Sequence, residues 1–282
     1  MYRKHGWGRV LFGAIVLAIV TVALCVGVLL YATLGKRSAE PVTINVPEEP
    51  ALPTVKEYLR GALEPAKGCL YIWGGGWNGG DPSEEAVSFG PSPRWKELFD
   101  RYGVDYEPEA YLSHDGLDCT GFLGYSVYQV FGDRYSNNGY VAQSGTVGLR
   151  YQYLFGSAYI PFEKVVRHHA GDVMFRDGHV WISLGECGDG SVLLIHASPP
   201  NVTLAGTPTP DGNYESQAVA LAQRYMRLIA PDAIEKFPYT CTASESFLTD
   251  YNSYSFPETV MIDPEGLRNM SADDVMRVLT DT

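Results

Sequence analysis

The stretch HAGDVMFRDGHVWISLGECGDGSVLLIHAS, residues 169 to 198, alternates apolar and polar residues between glycines. Such alternation with glycine punctuation is typical of two or three short β-strands joined by tight turns. In HVWISLG it places His179 and Trp181 on one face, and in SVLLIHAS it places Leu194 and His196 on one face. The segment therefore predicts an antiparallel sheet with a histidine on each of two neighbouring strands.

The distance between these histidines depends on the loop that joins their strands. If the loop is residues 186 to 189, Gly185 pairs with Gly190 and His179 lies directly opposite His196. A longer or shorter loop breaks this register, so the contact between the two imidazoles is conditional on the loop.

A cysteine precedes this segment in DGLDCTGFLGYSVYQVF, residues 115 to 131. Asp118 is a good N-cap residue, and apolar residues recur at nearly helical spacing up to Phe131. We therefore expect Cys119 in the first turn of a helix, where the helix dipole and unpaired amides favour a thiolate. Alone, the position favours a buried or disulfide-bonded cysteine. Together with a pair of histidines, it favours nucleophilic catalysis.

Composition bears on the class of function, and the cysteine count limits the disulfides that can form. The 282 residues are 45% hydrophobic, enough for a sizeable core, and the net charge of -12 argues against nucleic-acid binding. If Cys119 stays reduced, at most one disulfide forms among Cys69, Cys187 and Cys241. We prefer Cys187 with Cys241, although spacing leaves the connectivity open.

The N-terminus contains an uncharged apolar run, VLFGAIVLAIVTVALCVGVLLYATLG, from Val10 to Gly35. This run is long enough to cross a bilayer core of about 30 Å. It predicts a cytoplasmic tip and a single-pass membrane anchor over residues 1 to 37, with a cleaved signal peptide as the alternative. The flanking basic residues favour an extracytoplasmic location for the rest of the chain. Residues 38 to 53 are proline-rich and predict a short stalk.

Five short motifs together point to a known family. They are YIWGGG at 71 to 76, DCTG at 118 to 121, GDVMF at 171 to 175, GHVWISLG at 178 to 185 and IHAS at 195 to 198. In these motifs and their order the chain resembles the NlpC-type cysteine peptidases, papain-like enzymes of bacteria that cleave the stem peptides of peptidoglycan. The resemblance implies an α+β papain-like fold, with N-terminal helices packed on a central antiparallel β-sheet.

The resemblance also implies a role for each motif residue. Cys119 would be the nucleophile, His179 the base, and His196 the third member that orients the base. Tyr71 would help to stabilise the oxyanion, and Asp118 would contact the substrate. The bond cleaved would join D-glutamate to a diamino acid, without a cofactor. A zinc site is not expected, since these three side chains would be an uncharacteristic ligand set.

The chain departs from the family pattern in its long intervals. Insertions near residues 76 to 117 and 132 to 170 lengthen a peptidase domain expected over residues 54 to 231. They either form a wall or lid beside the site or decorate the surface. Residues 232 to 282 are expected to be a C-terminal extension packed on this domain.

Three functions are compatible with these features. The first is a membrane-anchored peptidoglycan endopeptidase, and the second is a thiol amidase or an acyl or peptidyl transferase with the same resting site. The third is a non-catalytic scaffold that binds the cell wall, although the filled triad positions favour an enzyme. Stem peptides carry carboxylates, so we expect a basic patch of Arg94, Lys96 and Arg101 if the first insertion contacts the substrate. The sequence does not indicate an oligomeric state.

Overall fold

The architecture is given by a computed structural model of the chain. It comprises two compact units, Met1–Pro50 and Ala51–Thr282. The residues that it describes are 7 to 34, 51 to 76, 88 to 102, 107 to 108, 111 to 136 and 139 to 282. Most of the predicted stalk, residues 38 to 50, and much of the first predicted insertion lie outside the described residues.

The first unit contains one long helix, α1, Trp7–Leu34. Its described side chains, from residue 17 to residue 32, are exposed. Among the described residues of the whole chain, no helix combines the length and hydropathy required for a bilayer crossing. The membrane anchor predicted from Val10 to Gly35 is therefore not supported by the structure.

A five-stranded antiparallel sheet lies at the centre of the second unit. Its strands are β1 Val173–Arg176, β2 His179–Glu186, β3 Val192–Ser198, β4 Asn201–Gly206 and β5 Asn252–Tyr254. Their spatial order is β4-β3-β2-β1-β5, so the last strand in sequence returns to pair with the first. The α+β class and the central antiparallel sheet are confirmed.

The alternating pattern of β2 and β3 separates two apolar layers. Val180 and Ile182 belong to the main core, which includes the buried faces of several helices. Trp181 and Leu194 point the other way, into a smaller cluster that also contains Tyr251. The sheet is therefore covered on both faces, and the histidines predicted on β2 and β3 share the face of the smaller cluster.

Eight helices follow α1 in the described part of the chain. They are α2 Val55–Leu63, α3 Pro93–Arg101, α4 Cys119–Phe131, α5 Val147–Phe155, α6 Gln217–Ile229, α7 Pro231–Lys236, α8 Ser246–Thr249 and α9 Ala272–Thr280. The central one is α4, which packs on α2, β2 and β3. Because α4 is enclosed by neighbours, its residues are apolar or small around nearly its whole circumference.

Side-chain caps set where several helices begin. Thr54 and Glu57 form a reciprocal capping box at α2, and Ser92 accepts the Arg94 amide at α3. The Ser271 side chain accepts the Asp274 amide at the start of α9. Each cap uses residues within one helical turn.

The C-terminal residues are integrated into the second unit. β5 pairs with the outer edge of β1, and α9 packs against α2 and β2. The short helix α8 and the residues after it lie over the smaller apolar cluster through Phe247 and Tyr251. This segment brings side chains to the sheet face that carries the histidines.

Candidate active site

Cys119 is the first residue of α4, and Asp118 is its N-cap. The Asp118 carboxylate accepts the Gly121 amide at 2.7 Å and the Thr120 hydroxyl at 2.9 Å. This bonding fixes the first turn and directs the Asp118 carboxylate to the helix backbone. The predicted position of Cys119 at a capped helix start is confirmed.

Two glycines join the YIWGGG motif to the cysteine helix. The Asp118 amide donates to the Gly75 carbonyl at 2.9 Å. A Cβ on Gly121 would lie 2.1 Å from that carbonyl oxygen, and a Cβ on Gly75 would lie 2.8 Å from the Gly116 oxygen. Only hydrogen atoms at these positions permit such an approach between backbones. The glycines thus bring Tyr71 beside Cys119, although the two are far apart in sequence.

His179 and His196 are hydrogen-bonded, with His179 Nε2 and His196 Nδ1 3.0 Å apart. Their rings meet edge to face, with centroids 5.2 Å apart. His196 is buried, and only a small part of His179 is exposed. The structure therefore brings together two of the residues assigned to the triad.

The register behind this contact differs from the predicted one. The loop runs from residue 187 to residue 191, so Glu186 pairs with Val192 and Gly185 with Leu193, where the sequence analysis paired Gly185 with Gly190. If the register set by this longer loop continued along both strands, the two histidines would lie on opposite faces of the sheet.

A β-bulge in β2 returns the two histidines to the same face of the sheet. Between Ser183 and Gly185 the register shifts, so that Ile182 pairs with Ile195 and His196 falls opposite Trp181. Gly185 has a φ of 106°, which side-chain-bearing residues rarely adopt. The bulge therefore places His196 diagonally across from His179, within reach of its Nε2 atom.

The Cys119 thiol is bonded to the backbone of β2, the strand that begins at His179. Burial and the Asp118 charge raise the pKa of Cys119 to about 11, against the opposing effect of the Val180, Thr120 and Cys119 amides. The Val180 amide belongs to the residue directly after His179, so α4 and β2 meet at the thiol. The expected preference for a thiolate is wrong, because burial and a neighbouring carboxylate outweigh the amides of the helix start.

Burial also keeps both imidazoles neutral. It lowers the pKa of His179 to about 4, with a further contribution from the Arg176 guanidinium, and lowers that of His196 well below its usual range, with a further contribution from His179. The resting site therefore consists of a thiol and two neutral rings, with no ion pair.

A groove of about 700 Å³ opens at the thiol. Tyr71, Trp73, Asp118 and Cys119 line one side, and residues 143 to 146 and 177 to 178 line the other. Residues 143 to 146 belong to the second predicted insertion, and the Ser144 hydroxyl accepts the Gly178 amide at 3.0 Å. This part of the insertion is thus a wall of the groove.

The basic residues of the first insertion are placed elsewhere. Arg94 is bonded to Asp115, Lys96 to Asp100, and Arg101 to Glu97. The described lining of the groove contains Asp118 and Asp177 but no lysine or arginine. Arg94, Lys96 and Arg101 are therefore not part of the described lining of this groove.

A second cavity, of about 510 Å³, lies beyond the other end of β2. Its lining includes His168, Glu186, Asp211 and Glu245 but no cysteine. No described group of three or more His, Cys, Asp or Glu side chains is arranged to hold a metal ion. All five cysteines are free, so the preferred disulfide between Cys187 and Cys241 is wrong.

Two aromatic residues of the site were missed by the sequence analysis. Phe247 lies 5.6 Å from the His179 ring and 5.7 Å from the His196 ring, and Tyr251 lies 6.4 Å from the His179 ring. They come from a tyrosine- and serine-rich segment without clear periodicity. Their only sequence signal is aromatic content, which favours core packing as much as a site.

Comparisons with protein-family models, curated proteins and solved structures return no match.

Proposed function

We propose that this protein is a cysteine peptidase of the NlpC type, with a papain-like arrangement, that hydrolyses peptidoglycan stem peptides. The observation that carries the proposal is the meeting of three parts: a thiol at a capped helix start, a neighbouring strand amide, and a hydrogen-bonded histidine pair. Thiol acyl transfer needs a nucleophile, a base and a group that orients the base, and these parts supply all three.

The histidine pair suggests which nitrogen acts as the base. If His179 Nε2 donates to His196 Nδ1, the free lone pair of His179 is on Nδ1, the nitrogen that would accept the thiol proton. His196 then fixes both the ring orientation and the tautomer of His179. A neutral imidazole performs this role here, where many thiol and serine hydrolases use an amide or a carboxylate.

The pKa values indicate when the proton moves. With Cys119 near 11 and His179 near 4, the neutral pair exceeds the ion pair by several orders of magnitude at rest. Proton transfer would therefore accompany attack on the carbonyl. A substrate in the groove would exclude water and supply the carbonyl that takes up the charge.

The remaining steps use Cys119 and Tyr71, which line the groove, and His179, which directly follows the lining residue Gly178. The Cys119 sulfur forms a bond to the amide carbonyl, and the oxyanion would accept hydrogen bonds from the Cys119 amide and the Tyr71 hydroxyl. The His179 imidazolium gives its proton to the leaving amine as the C–N bond breaks. Water, deprotonated by His179, then cleaves the thioester and frees Cys119.

The charge of the groove bears on the substrate. Asp118 and Asp177 are among its lining residues, and the described lining contains no basic side chain. Two carboxylates favour a substrate segment that carries an ammonium group, such as the side chain of a diamino acid. This supports a bond between D-glutamate and a diamino acid. Attachment to a bacterial membrane, with the catalytic unit outside, is a further proposal that depends on the sequence of α1 alone.

Mass spectrometry of muropeptides incubated with the full-length chain tests this proposal. We expect new fragments whose masses correspond to cleavage after D-glutamate, and no such fragments with Cys119→Ala. Cys69→Ala is the matched control, since Cys69 is also buried but is not among the residues that line the groove. Amide release from the sugar, or products of peptide exchange, would favour the amidase or transferase instead. Identical fragment patterns with and without Cys119 would contradict an enzymatic role.

A further inference from the structure

The hydroxyl hydrogen of Tyr251 is buried without an acceptor. Tyr251 is 2% exposed, no described group accepts a hydrogen bond from its hydroxyl, and the neighbouring Arg176 side chain can only donate to it. Burying a donor without an acceptor costs free energy, so the position needs an explanation.

The surroundings of Tyr251 place it at the thiol site. Its ring packs against Phe247 and Trp181 at 5.1 and 5.6 Å and faces the His179 ring edge-on at 6.4 Å. The Arg176 guanidinium lies over the ring face, 4.8 Å from the centroid. These contacts fix the position of the ring and leave the hydroxyl hydrogen without an acceptor.

The hydroxyl also lies within electrostatic reach of Cys119. Burial raises the pKa of Tyr251 to about 12; the charge of Arg176 and a hydrogen bond from its side chain oppose this shift, and negative charge at Cys119 or Asp250 adds to it. The titratable and charged groups around the hydroxyl are thus Arg176 on β1, His179 on β2, Cys119 on α4, and Asp250 in its own segment. Tyr251 remains protonated across the physiological range and is available only as a donor or a neutral acceptor.

We propose that Tyr251 belongs to the thiol site and that its hydroxyl donates a hydrogen bond to the negative charge formed when Cys119 loses its proton. The inference rests on the proposed role of Cys119 as nucleophile. It extends the site to a residue outside the five motifs, carried there by the C-terminal segment. A donor left unpaired in the resting state pairs only when charge develops, so it stabilises the reacting state over the ground state.

Tyr251→Phe separates this role from simple packing. Phenylalanine keeps the ring and its aromatic contacts and removes only the hydroxyl. We expect the rate of Cys119 alkylation by iodoacetamide at pH 9 to fall about three- to tenfold, because the thiolate loses a donor. The thermal unfolding midpoint should stay the same or rise, since a buried donor without an acceptor is lost. Peptide-level mass spectrometry of the full-length chain distinguishes Cys119 from the other four cysteines.

Tyr58→Phe is the matched control. Tyr58 is fully buried in the main core, and its hydroxyl also has no acceptor in the described structure. We expect its unfolding midpoint to stay the same or rise as well, with Cys119 alkylation unchanged. The two variants differ in whether the hydroxyl without an acceptor lies beside the thiol.

Each outcome bears on one claim. Unchanged alkylation in Tyr251→Phe would overturn the proposal, and so would slower alkylation with a midpoint several degrees lower, which indicates a structural role. Slower alkylation with a retained midpoint supports it. If the chain then fails to cleave muropeptides, the proposed substrate is wrong while the link between Tyr251 and Cys119 stands.

Discussion

His168 and His179 both lie against the aromatic cluster around Trp181, yet their partners differ. The His168 ring stacks on Trp181, its Nδ1 atom is 3.4 Å from the Glu186 carboxylate, and its backbone amide donates to the same oxygen at 2.8 Å. His179 is bonded to another imidazole, and the amide of the next residue, Val180, bonds the Cys119 thiol. The described lining of the cavity at His168 contains no cysteine, whereas the groove next to His179 is lined by Cys119.

The difference shows how the partner of a buried histidine determines its chemistry. A carboxylate such as Glu186 compensates the charge of an imidazolium; burial would raise the pKa of Glu186, but bonds from His168 lower it. A neutral imidazole offers no such compensation, so His179 remains an uncharged base until a proton arrives. The end of β2 with His168 is suited to a fixed polar contact, and the end with His179 to proton transfer.

Replacing each histidine in turn should give the largest difference between the two ends of β2, measured as cleavage activity. We expect His179→Gln to lower muropeptide cleavage by at least about a thousandfold, because the proposed base is lost. His168→Gln should retain activity within about threefold. Initial rates measured by liquid chromatography test both variants. Equal losses would mean that neither histidine has a special role in proton transfer.

Two glycine-to-alanine substitutions, one at α4 and one in the loop after β2, extend the comparison to stability. Gly121→Ala places a Cβ 2.1 Å from the Gly75 oxygen, so α4 and the loop before it must separate. We expect a loss of about 3 kcal/mol or more in the free energy of unfolding, together with the loss of activity. Gly188→Ala, in the loop after Glu186, meets only the flexible Gln217 side chain at 3.5 Å. Urea denaturation should show it to be nearly neutral, and a similar loss in both would contradict this contact.

The dependence of stability on acid pH should trace to the His179–His196 pair, since burial lowers the pKa of both imidazoles. The pKa of His179 is about 4 in the fold and about 6.5 in an unfolded chain, so between these values the unfolded state binds more protons. Stability is therefore complete above pH 6.5 and falls by about 3 kcal/mol as the pH decreases to 4. His179→Gln should make this part of the curve shallower, and the part that remains should come from His196, whose pKa burial also lowers. Urea midpoints at several pH values provide the test, and an unchanged slope in His179→Gln would refute it.

The smallest expected effect concerns Arg176. It pairs across strands with His179, forms an ion pair with Asp250 at 3.2 Å, and lowers the pKa of His179 after burial does. Arg176→Gln should raise the His179 titration midpoint by about one pH unit, measured by NMR of labelled histidine rings.

The chain offers a close control for this variant. Arg224 likewise lies over a tyrosine ring, that of Tyr225, and is bonded to a carboxylate, Asp273. Arg224→Gln should leave the His179 titration unchanged. A shift of equal size in both variants would mean that the charge of Arg176 does not act locally.

The parts of the fold set by local sequence could be predicted. The start of α4 at Asp118, the capping box at Thr54 and the strands around His179 and His196 each depend on residues near one another in the chain. Caps and alternation are short-range effects, so no tertiary information is needed. The family resemblance also predicted that Tyr71 belongs to the site. The structure places Tyr71 in the lining of the groove.

The parts set by tertiary packing could not be predicted. The bulge at Gly185 changes the register, and although a glycine inside a strand hints at one, pairing is fixed only when both strands pack. The pKa of Cys119 depends on burial beneath other elements, which outweighs the helix-start amides. Tyr251 arrives from a segment more than a hundred residues after Cys119, and its contacts exist only once β5 joins the sheet.

Trapping the acyl-enzyme tests the central claim most directly. Full-length protein mixed with muropeptides, quenched in acid within seconds and digested, should yield the Cys119 peptide carrying a stem-peptide acyl group as a thioester. Cys119→Ala should yield no adduct, and His179→Gln should yield far less. Substrate consumption with no adduct on Cys119, or an adduct on another cysteine, would contradict Cys119 as the nucleophile.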